Sequence, residues 1–184
     1  MGTIKDFKYK KIPQFLSKDM LNTCGRYCEI RHRINNTNFE PIKKASGNYD
    51  TTFYADPLCE AIMDFKIPHM EDLTGLQLLP TYSYWRMYTF DSILGAHVDR
   101  PSCEISVTIN IASNLKEPWP IWMDDKPIYL QPGDAAIYLG EQVKHERKPF
   151  RGDYNSQIFL HYVDKNGPYS SLAMDGRALY GLMK

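Results

Sequence analysis

The sequence lacks an excess of charge of either sign, because its 184 residues contain 22 basic and 22 acidic side chains. This balance gives no support for electrostatic binding to nucleic acid or to an anionic membrane surface. No apolar run approaches the roughly 18–20 residues that cross a bilayer. Residues 1–11 contain no apolar core typical of a signal peptide, so we expect a cytoplasmic location and no membrane partner.

Cysteine is scarce and does not form a recognisable pattern. The four cysteines are Cys24, Cys28, Cys59 and Cys103, and none belongs to a Cys-x-x-Cys pair. A zinc site on Cys24 and Cys28, one helical turn apart, would lack two further ligands nearby. The sequence therefore predicts buried free thiols and no disulfide framework.

The first third of the chain carries helix signals. Ser17 is a candidate cap for a helix that ends near Arg33, and Asp56-Pro57 is a typical helix start. A further short helix is expected to end at Gly75. The polar stretch 35–50 between the first two helices predicts a loop, either a lid hinged at Gly47 or a connector.

The remainder of the chain has the two-residue period of β-strands. Turn residues such as Pro132-Gly133-Asp134 separate these segments, a spacing typical of a sandwich or jelly roll. We predict a mainly β fold with N-terminal helices, specifically a double-stranded β-helix. Residues 1–79 would form a helical support region, 80–165 the core and 166–184 a tail of one domain. The predicted strands are 80–88, 104–111, 119–122, 126–130, 135–139, 142–147 and 155–163.

The segment Glu104–Ile111 alternates almost perfectly between polar and aliphatic residues. Its aliphatic face should contact the main core. Its polar face meets either solvent or a water-filled cavity, and the sequence does not choose between them.

His97-Val98-Asp99 is the most informative triplet. Residues two apart on a strand point to the same side, so this imidazole and carboxylate can hold one metal ion together. His145, on a later predicted strand, is the candidate third ligand. Two histidines and one carboxylate leave coordination positions open, which suits non-haem Fe(II).

The segment 82–162 resembles the Fe(II)/2-oxoglutarate-dependent dioxygenases, in particular the prolyl-hydroxylase-like branch. The resemblance implies a jelly roll with iron held by His97, Asp99 and His145, and 2-oxoglutarate and dioxygen as co-substrates. Retention of Asp99 favours hydroxylation, because the related halogenases lack this carboxylate. The matching elements are Tyr88, His97-x-Asp99, Gln131-Pro132-Gly133-Asp134-Ala135, His145, Pro149, Gly152 and the closing strand Gln157–Tyr162.

The sequence departs from the family where a cation should bind the far carboxylate of 2-oxoglutarate. The family usually supplies Lys or Arg nine or ten residues after the second histidine, and this chain has Tyr154 and Asn155 there. Arg147 should point inward, since it lies two residues after His145 on the same strand. Arg151 is a second candidate and Arg86 a third. The resemblance also implies that Tyr88 donates its hydroxyl to this carboxylate.

The leading hypothesis is an enzyme that hydroxylates a C–H bond of a peptidyl residue such as proline, or of a small molecule. It would convert 2-oxoglutarate to succinate and CO2 with Fe(II) and O2, and ascorbate is a candidate reductant. One alternative is a cupin-like metalloenzyme that does not use 2-oxoglutarate, supported by the missing family cation. Another is a non-catalytic jelly-roll module that binds carbohydrate or peptide. The sequence leaves the oligomeric state open.

Overall fold

The computed structural model describes residues 3–38 and 50–182, so most of the predicted loop 35–50 lies outside the described residues. The described helices are α1 (Ile4–Phe7), α2 (Lys18–Asn38), α3 (Pro57–Phe65) and α4 (Ile67–Thr74), with short 3-10 segments at Pro101–Cys103 and Ser170–Gly176. The described strands are β1 (Tyr9–Ile12), β2 (Thr51–Tyr54), β3 (Leu78–Thr89), β4 (Leu94–His97), β5 (Ile105–Ser113), β6 (Ile121–Met123), β7 (Lys126–Ile128), β8 (Ala135–Leu139), β9 (His145–Arg147) and β10 (Tyr154–Asp164). Within the described part of the chain, no helix has both the length and the apolar character needed to span a bilayer.

The helix starts follow the predicted capping residues. The Ser17 hydroxyl accepts from the Met20 amide at 3.3 Å, and Asp56 accepts from the Leu58 amide at 3.1 Å. Gly75 ends α4 in the left-handed conformation, with φ of 70°. The predicted end of α2 near Arg33 was wrong. The helix continues to Asn38 because neither glycine nor proline interrupts it after Gly25.

Two antiparallel sheets form the jelly roll, which confirms the predicted fold class. The larger sheet has the order β1-β8-β5-β10-β3-β2, and the smaller has the order β4-β9-β6-β7. The region 1–79 supplies both edge strands of the larger sheet in addition to its helices. These two strands have four residues each and were not predicted. The division at residues 79 and 165 stays a prediction.

The alternating strand β5 separates two interiors. Its aliphatic side chains, including Ile105 and Val107, join the main hydrophobic core with residues of the helices. Its polar side chains are equally buried, and Ser106 and Thr108 have no exposed surface. They bind polar residues elsewhere in the roll, as Thr108 does by donating to Gln157. The polar face of β5 therefore meets an enclosed polar site, which answers the question that the sequence left open.

The four cysteines are free and buried, as predicted. Burial raises the pKa of Cys24 to about 11 and the pKa of Cys28 and Cys103 to about 12. Because the thiolate is the reactive form, we expect no labelling of the native protein by a disulfide reagent at pH 8. Unfolding in guanidinium should release all four thiols. Rapid labelling of the native protein would contradict this arrangement.

Candidate metal centre

Two of the three predicted ligands meet across a strand pair. His97 ends β4 and lies opposite His145 at the start of β9, with the ring centroids 4.3 Å apart. Asp99 lies beyond the end of β4, so its position does not follow from strand alternation as the sequence suggested. Its backbone amide instead donates to the Gly140 carbonyl at 2.8 Å. This contact turns the Asp99 carboxylate toward both histidines.

The donor atoms converge on a common point. Oδ1 of Asp99 is 3.5 Å from Nε2 of His97 and 3.5 Å from Nε2 of His145. All three ligand atoms lie within 4.8 Å of one another. Two imidazole nitrogens and one carboxylate oxygen, with further positions open, are the donor set of non-haem Fe(II) oxygenases. These residues therefore fit a ferrous ion.

Both histidines are held with the remote nitrogen available for a metal. Nδ1 of His97 lies 2.8 Å from the Gly95 carbonyl oxygen, and Nδ1 of His145 lies 2.9 Å from the Val143 carbonyl oxygen. A carbonyl only accepts, so each Nδ1 carries a proton and Nε2 is the nitrogen left to bind a metal. Metal-binding histidines are usually oriented in this way.

Two of the three side chains, His145 and Asp99, are held in the ionisation state that binds metal. Burial lowers the pKa of His145, which keeps this ring neutral near pH 7. His97 differs, because in the metal-free protein its protonated form donates to Asp99, which raises the pKa of His97. A metal ion would replace this proton on Nε2. Burial opposes ionisation of Asp99, but its hydrogen bond to His97 and the neighbouring histidines hold its pKa below the usual value. A carboxylate and neutral imidazoles are the forms that bind metal.

A second group of donor atoms, from Asp99, Cys103 and His161, also lies within 4.8 Å. It shares Asp99 with the first group. Burial raises the pKa of the Cys103 thiol to about 12, so it remains protonated and is a poor ligand. The three predicted ligands are therefore the better site.

The metal site opens into a cavity of about 200 Å³. The cavity walls are mainly aromatic and include Tyr82 and Tyr84 of β3. The next residue of this strand, Trp85, is instead buried in the main core. The residues that line it are Tyr82, Tyr84, Arg86, Tyr88, Leu94, His97, Asp99, Tyr138, His145, Phe159 and His161.

Arg147 is a buried cation close to this site. It is 2% exposed and donates to the Trp119 carbonyl at 2.9 Å and to Oε1 of Gln157 at 3.2 Å. Burial lowers its pKa to about 10, so it still carries its charge at pH 7. No acidic side chain among residues 3–38 and 50–182 pairs with it, and its Nε has no partner there. A buried cation without a counterion fits an anionic ligand.

The other candidate groups for the co-substrate are placed differently. Tyr88 is fully buried and lines the cavity, with the Arg86 guanidinium 4.1 Å from its ring centroid. Arg86 also lines the cavity, but it binds Asp50 at 2.6 Å. Arg151 does not reach the cavity, because its side chain is 64% exposed and pairs with Asp91. Tyr88 and Arg86 therefore line the cavity, Arg147 lies behind its wall opposite the lining residue Leu94, and Arg151 is remote from it.

Three residues near the metal site were not predicted. The Ser106 hydroxyl contacts Asp99, Tyr138 lines the cavity beside His145, and Gly140 lies against Asp99. The alternating pattern of β5 was a signal for Ser106, because it placed a row of polar side chains on one face. Gly140 had no local signal, since its importance arises from contacts with distant segments.

No family profile and no curated protein sequence matches the chain. Solved structures do match, at low identity. A Pseudomonas putida prolyl-4-hydroxylase is 16% identical with a TM-score of 0.65, over 88% of this chain and 97% of that one. The viral collagen prolyl hydroxylase of Paramecium bursaria Chlorella virus-1, solved with 2-oxoglutarate, is 12% identical with a TM-score of 0.60, over 84% and 94%.

A third similar structure is that of an enzyme named for a different reaction. The non-heme alpha-ketoglutarate-dependent carbocyclase SnoK from nogalamycin biosynthesis is 12% identical with a TM-score of 0.68, over 88% of this chain and 81% of that one. The chain therefore has the fold of the 2-oxoglutarate-Fe(II) oxygenases, which confirms the resemblance that the sequence motifs indicated.

Proposed function

We propose that this chain is an Fe(II)/2-oxoglutarate-dependent oxygenase that hydroxylates a C–H bond and converts 2-oxoglutarate to succinate and CO2. The observation that carries the proposal is the convergence of the His97, Asp99 and His145 donor atoms within 4.8 Å in the lining of one cavity. When bound there, the ion would supply the oxygen-activating chemistry that no amino-acid side chain provides.

The protein's own residues have distinct roles in this proposal. His97 and His145 present Nε2 to the ion, since their Nδ1 protons are held by backbone carbonyls. The Arg147 guanidinium binds the far carboxylate of 2-oxoglutarate, and burial away from water strengthens this pairing. Tyr88 donates its hydroxyl to the same carboxylate. The aromatic side chains that line the cavity, such as Tyr84 and Phe159, exclude water and orient the substrate.

The substrate class is a peptidyl residue, proline being one candidate, or a small molecule. Two of the similar structures are prolyl hydroxylases, which supports a peptidyl substrate, and the similarity to a carbocyclase supports a small molecule. The cupin-like alternative depended on a missing cation. The buried charge of Arg147 favours the 2-oxoglutarate-dependent reaction over it.

The test is to incubate the protein with Fe(II), 2-oxoglutarate, O2 and ascorbate and to measure succinate. We expect succinate from the wild-type protein and at least about 100-fold less from His97→Ala. In a parallel anaerobic experiment, 2-oxoglutarate should produce a visible charge-transfer band with the Fe(II)-loaded protein. Absence of both succinate and the band would contradict the proposal and favour the cupin-like alternative. Ligand binding that survives His97→Ala without any succinate would favour the binding module.

A further inference from the structure

The two oxygens of Asp99 have different surroundings. Oδ1 faces Nε2 of both histidines at 3.5 Å. Oδ2 lies 2.9 Å from the Ser106 hydroxyl. The asymmetry matters because a carboxylate can bind a metal through one oxygen or through both. An ion that must also accept a chelating co-substrate and dioxygen has room for only one oxygen from Asp99.

The Ser106 hydroxyl has three polar neighbours but only one proton. It lies 2.9 Å from Oδ2 of Asp99, 3.0 Å from the Cys103 carbonyl and 3.0 Å from Nδ1 of His161. Among these acceptors the charged carboxylate forms the strongest hydrogen bond. Ser106 therefore donates to Asp99.

This assignment determines the role of His161. With its proton directed at Asp99, the Ser106 oxygen can only accept from His161, so Nδ1 of His161 carries a proton. His161 is 5% exposed, so this hydrogen bond is shielded from water. The result is a directed chain of hydrogen bonds from His161 to Ser106 to Asp99, in which each donor polarises the next.

Gly140 allows this arrangement through close contact. A Cβ atom at this position would lie 2.1 Å from the Cys103 carbonyl oxygen, 2.7 Å from Oδ2 of Asp99 and 2.9 Å from the Ser106 hydroxyl. The chain therefore brings the Asp99 carboxylate against β5 at a point where no side chain fits. Asp99 lies outside β4, so strand geometry does not fix its orientation. These contacts and the hydrogen bond from the Asp99 amide to the Gly140 carbonyl fix it instead.

We propose that Ser106 and His161 are positioning residues that hold Oδ2 of Asp99, so that this carboxylate gives the metal a single oxygen. The proposal rests on the metal site of the proposed function and extends it to two residues that do not touch the ion. Removing either residue should loosen the carboxylate and weaken metal binding before any co-substrate is present. Outer hydrogen bonds of this kind typically contribute 10- to 100-fold in metal affinity.

The experiment titrates metal-free protein with Co²⁺ and measures the dissociation constant and the visible absorption of the bound ion. Ser106→Ala should weaken binding by about 10- to 100-fold. His161→Leu should weaken it in the same direction, whereas His161→Asn keeps an N–H near the position of Nδ1 and should restore affinity toward the wild-type value. Ser83→Ala is the matched control. Ser83 is a fully buried serine of β3 whose hydroxyl has no partner among the described residues.

Melting temperatures of the metal-free variants show whether each one folds. The proposal is overturned if Ser106→Ala, or both His161 variants, bind Co²⁺ as tightly as Ser83→Ala while His97→Ala does not bind it. Equal Co²⁺ binding by His97→Ala and the wild-type protein would contradict the proposed function itself. If Ser106→Ala does not fold, the comparison of His161→Leu with His161→Asn gives the answer, because equal affinities in that pair contradict the proposal.

Discussion

Arg147→Met should abolish binding of 2-oxoglutarate and destabilise the ligand-free protein by about 1–3 kcal/mol, because the Trp119 carbonyl and Gln157 lose a donor. Loss of one partner of a buried ion pair typically costs about 3–5 kcal/mol, because the other charge stays uncompensated. Arg147 has no acidic partner among the described residues, so its removal leaves no such charge behind. Methionine also removes the cost of keeping a buried guanidinium without a counterion.

The matched control is Arg177→Met, because the second buried arginine has an acidic partner. Arg177 donates to both oxygens of Glu60, at 2.6 and 2.9 Å, and both side chains are 1% exposed. Its replacement should lower the free energy of unfolding by about 3–5 kcal/mol. Chemical denaturation of the two variants measures this difference in the absence of ligand.

Ligand-induced stabilisation measures the functional part of this prediction. With Mn²⁺ and without oxygen, 2-oxoglutarate at 100 times its dissociation constant should stabilise the wild-type protein by about 2.7 kcal/mol. Arg147→Met should show none of this effect, and Arg147→Lys should retain part of it because the charge remains. Normal 2-oxoglutarate binding by Arg147→Met would show that another residue, such as Arg86, holds the far carboxylate.

Asp99→Ala should reduce Fe(II) affinity and succinate formation by more than about 100-fold, which exceeds the usual effect of residues outside the ligand shell. The substitution removes a metal ligand and leaves the Ser106 hydroxyl without its strongest acceptor. Asp99→Asn tests the charge separately, because its shape is almost unchanged and it cannot act as an anionic ligand. We expect it to bind Fe(II) weakly as well.

The control for Asp99 is Asp125→Asn. Asp125 is exposed in the turn between β6 and β7, and its φ of 65° is tolerated by asparagine. This variant should retain metal binding and turnover. Fe(II) binding by Asp99→Ala that equals the control would contradict the assignment of Asp99 as a ligand.

Much of the roll could be predicted because its central strands are strongly patterned. The predicted segment 135–139 coincides with β8, and 104–111 lies almost wholly within β5. Burial on a pleated strand imposes a two-residue period, and this period is visible without any structure. The edge strands β1 and β2 were missed because they are short and gain their stability from pairing with distant strands.

The convergence of the three candidate ligands could be predicted from the sequence, but the contacts that hold Asp99 in place could not. His97, Asp99 and His145 are residue types that few other functions bring together at this spacing, so the motif was visible in the sequence. Gly140 lies far from Asp99 in the chain, and no local pattern encodes their contact. Ser106 follows Asp99 by seven residues, and the alternation of β5 marked it as part of a polar face but did not show that it contacts Asp99. The absence of an acidic partner for Arg147 is likewise a property of the packed interior and not of its neighbours in sequence.

The central claim is that His97, Asp99 and His145 hold one ferrous ion. The most direct measurement is a crystal structure of the protein grown with Fe(II) without oxygen, with anomalous diffraction recorded on both sides of the iron absorption edge. We expect one iron peak per chain, bonded to Nε2 of both histidines and to one oxygen of Asp99. An iron peak at other residues, or no peak between these three side chains at saturating Fe(II), would contradict the account.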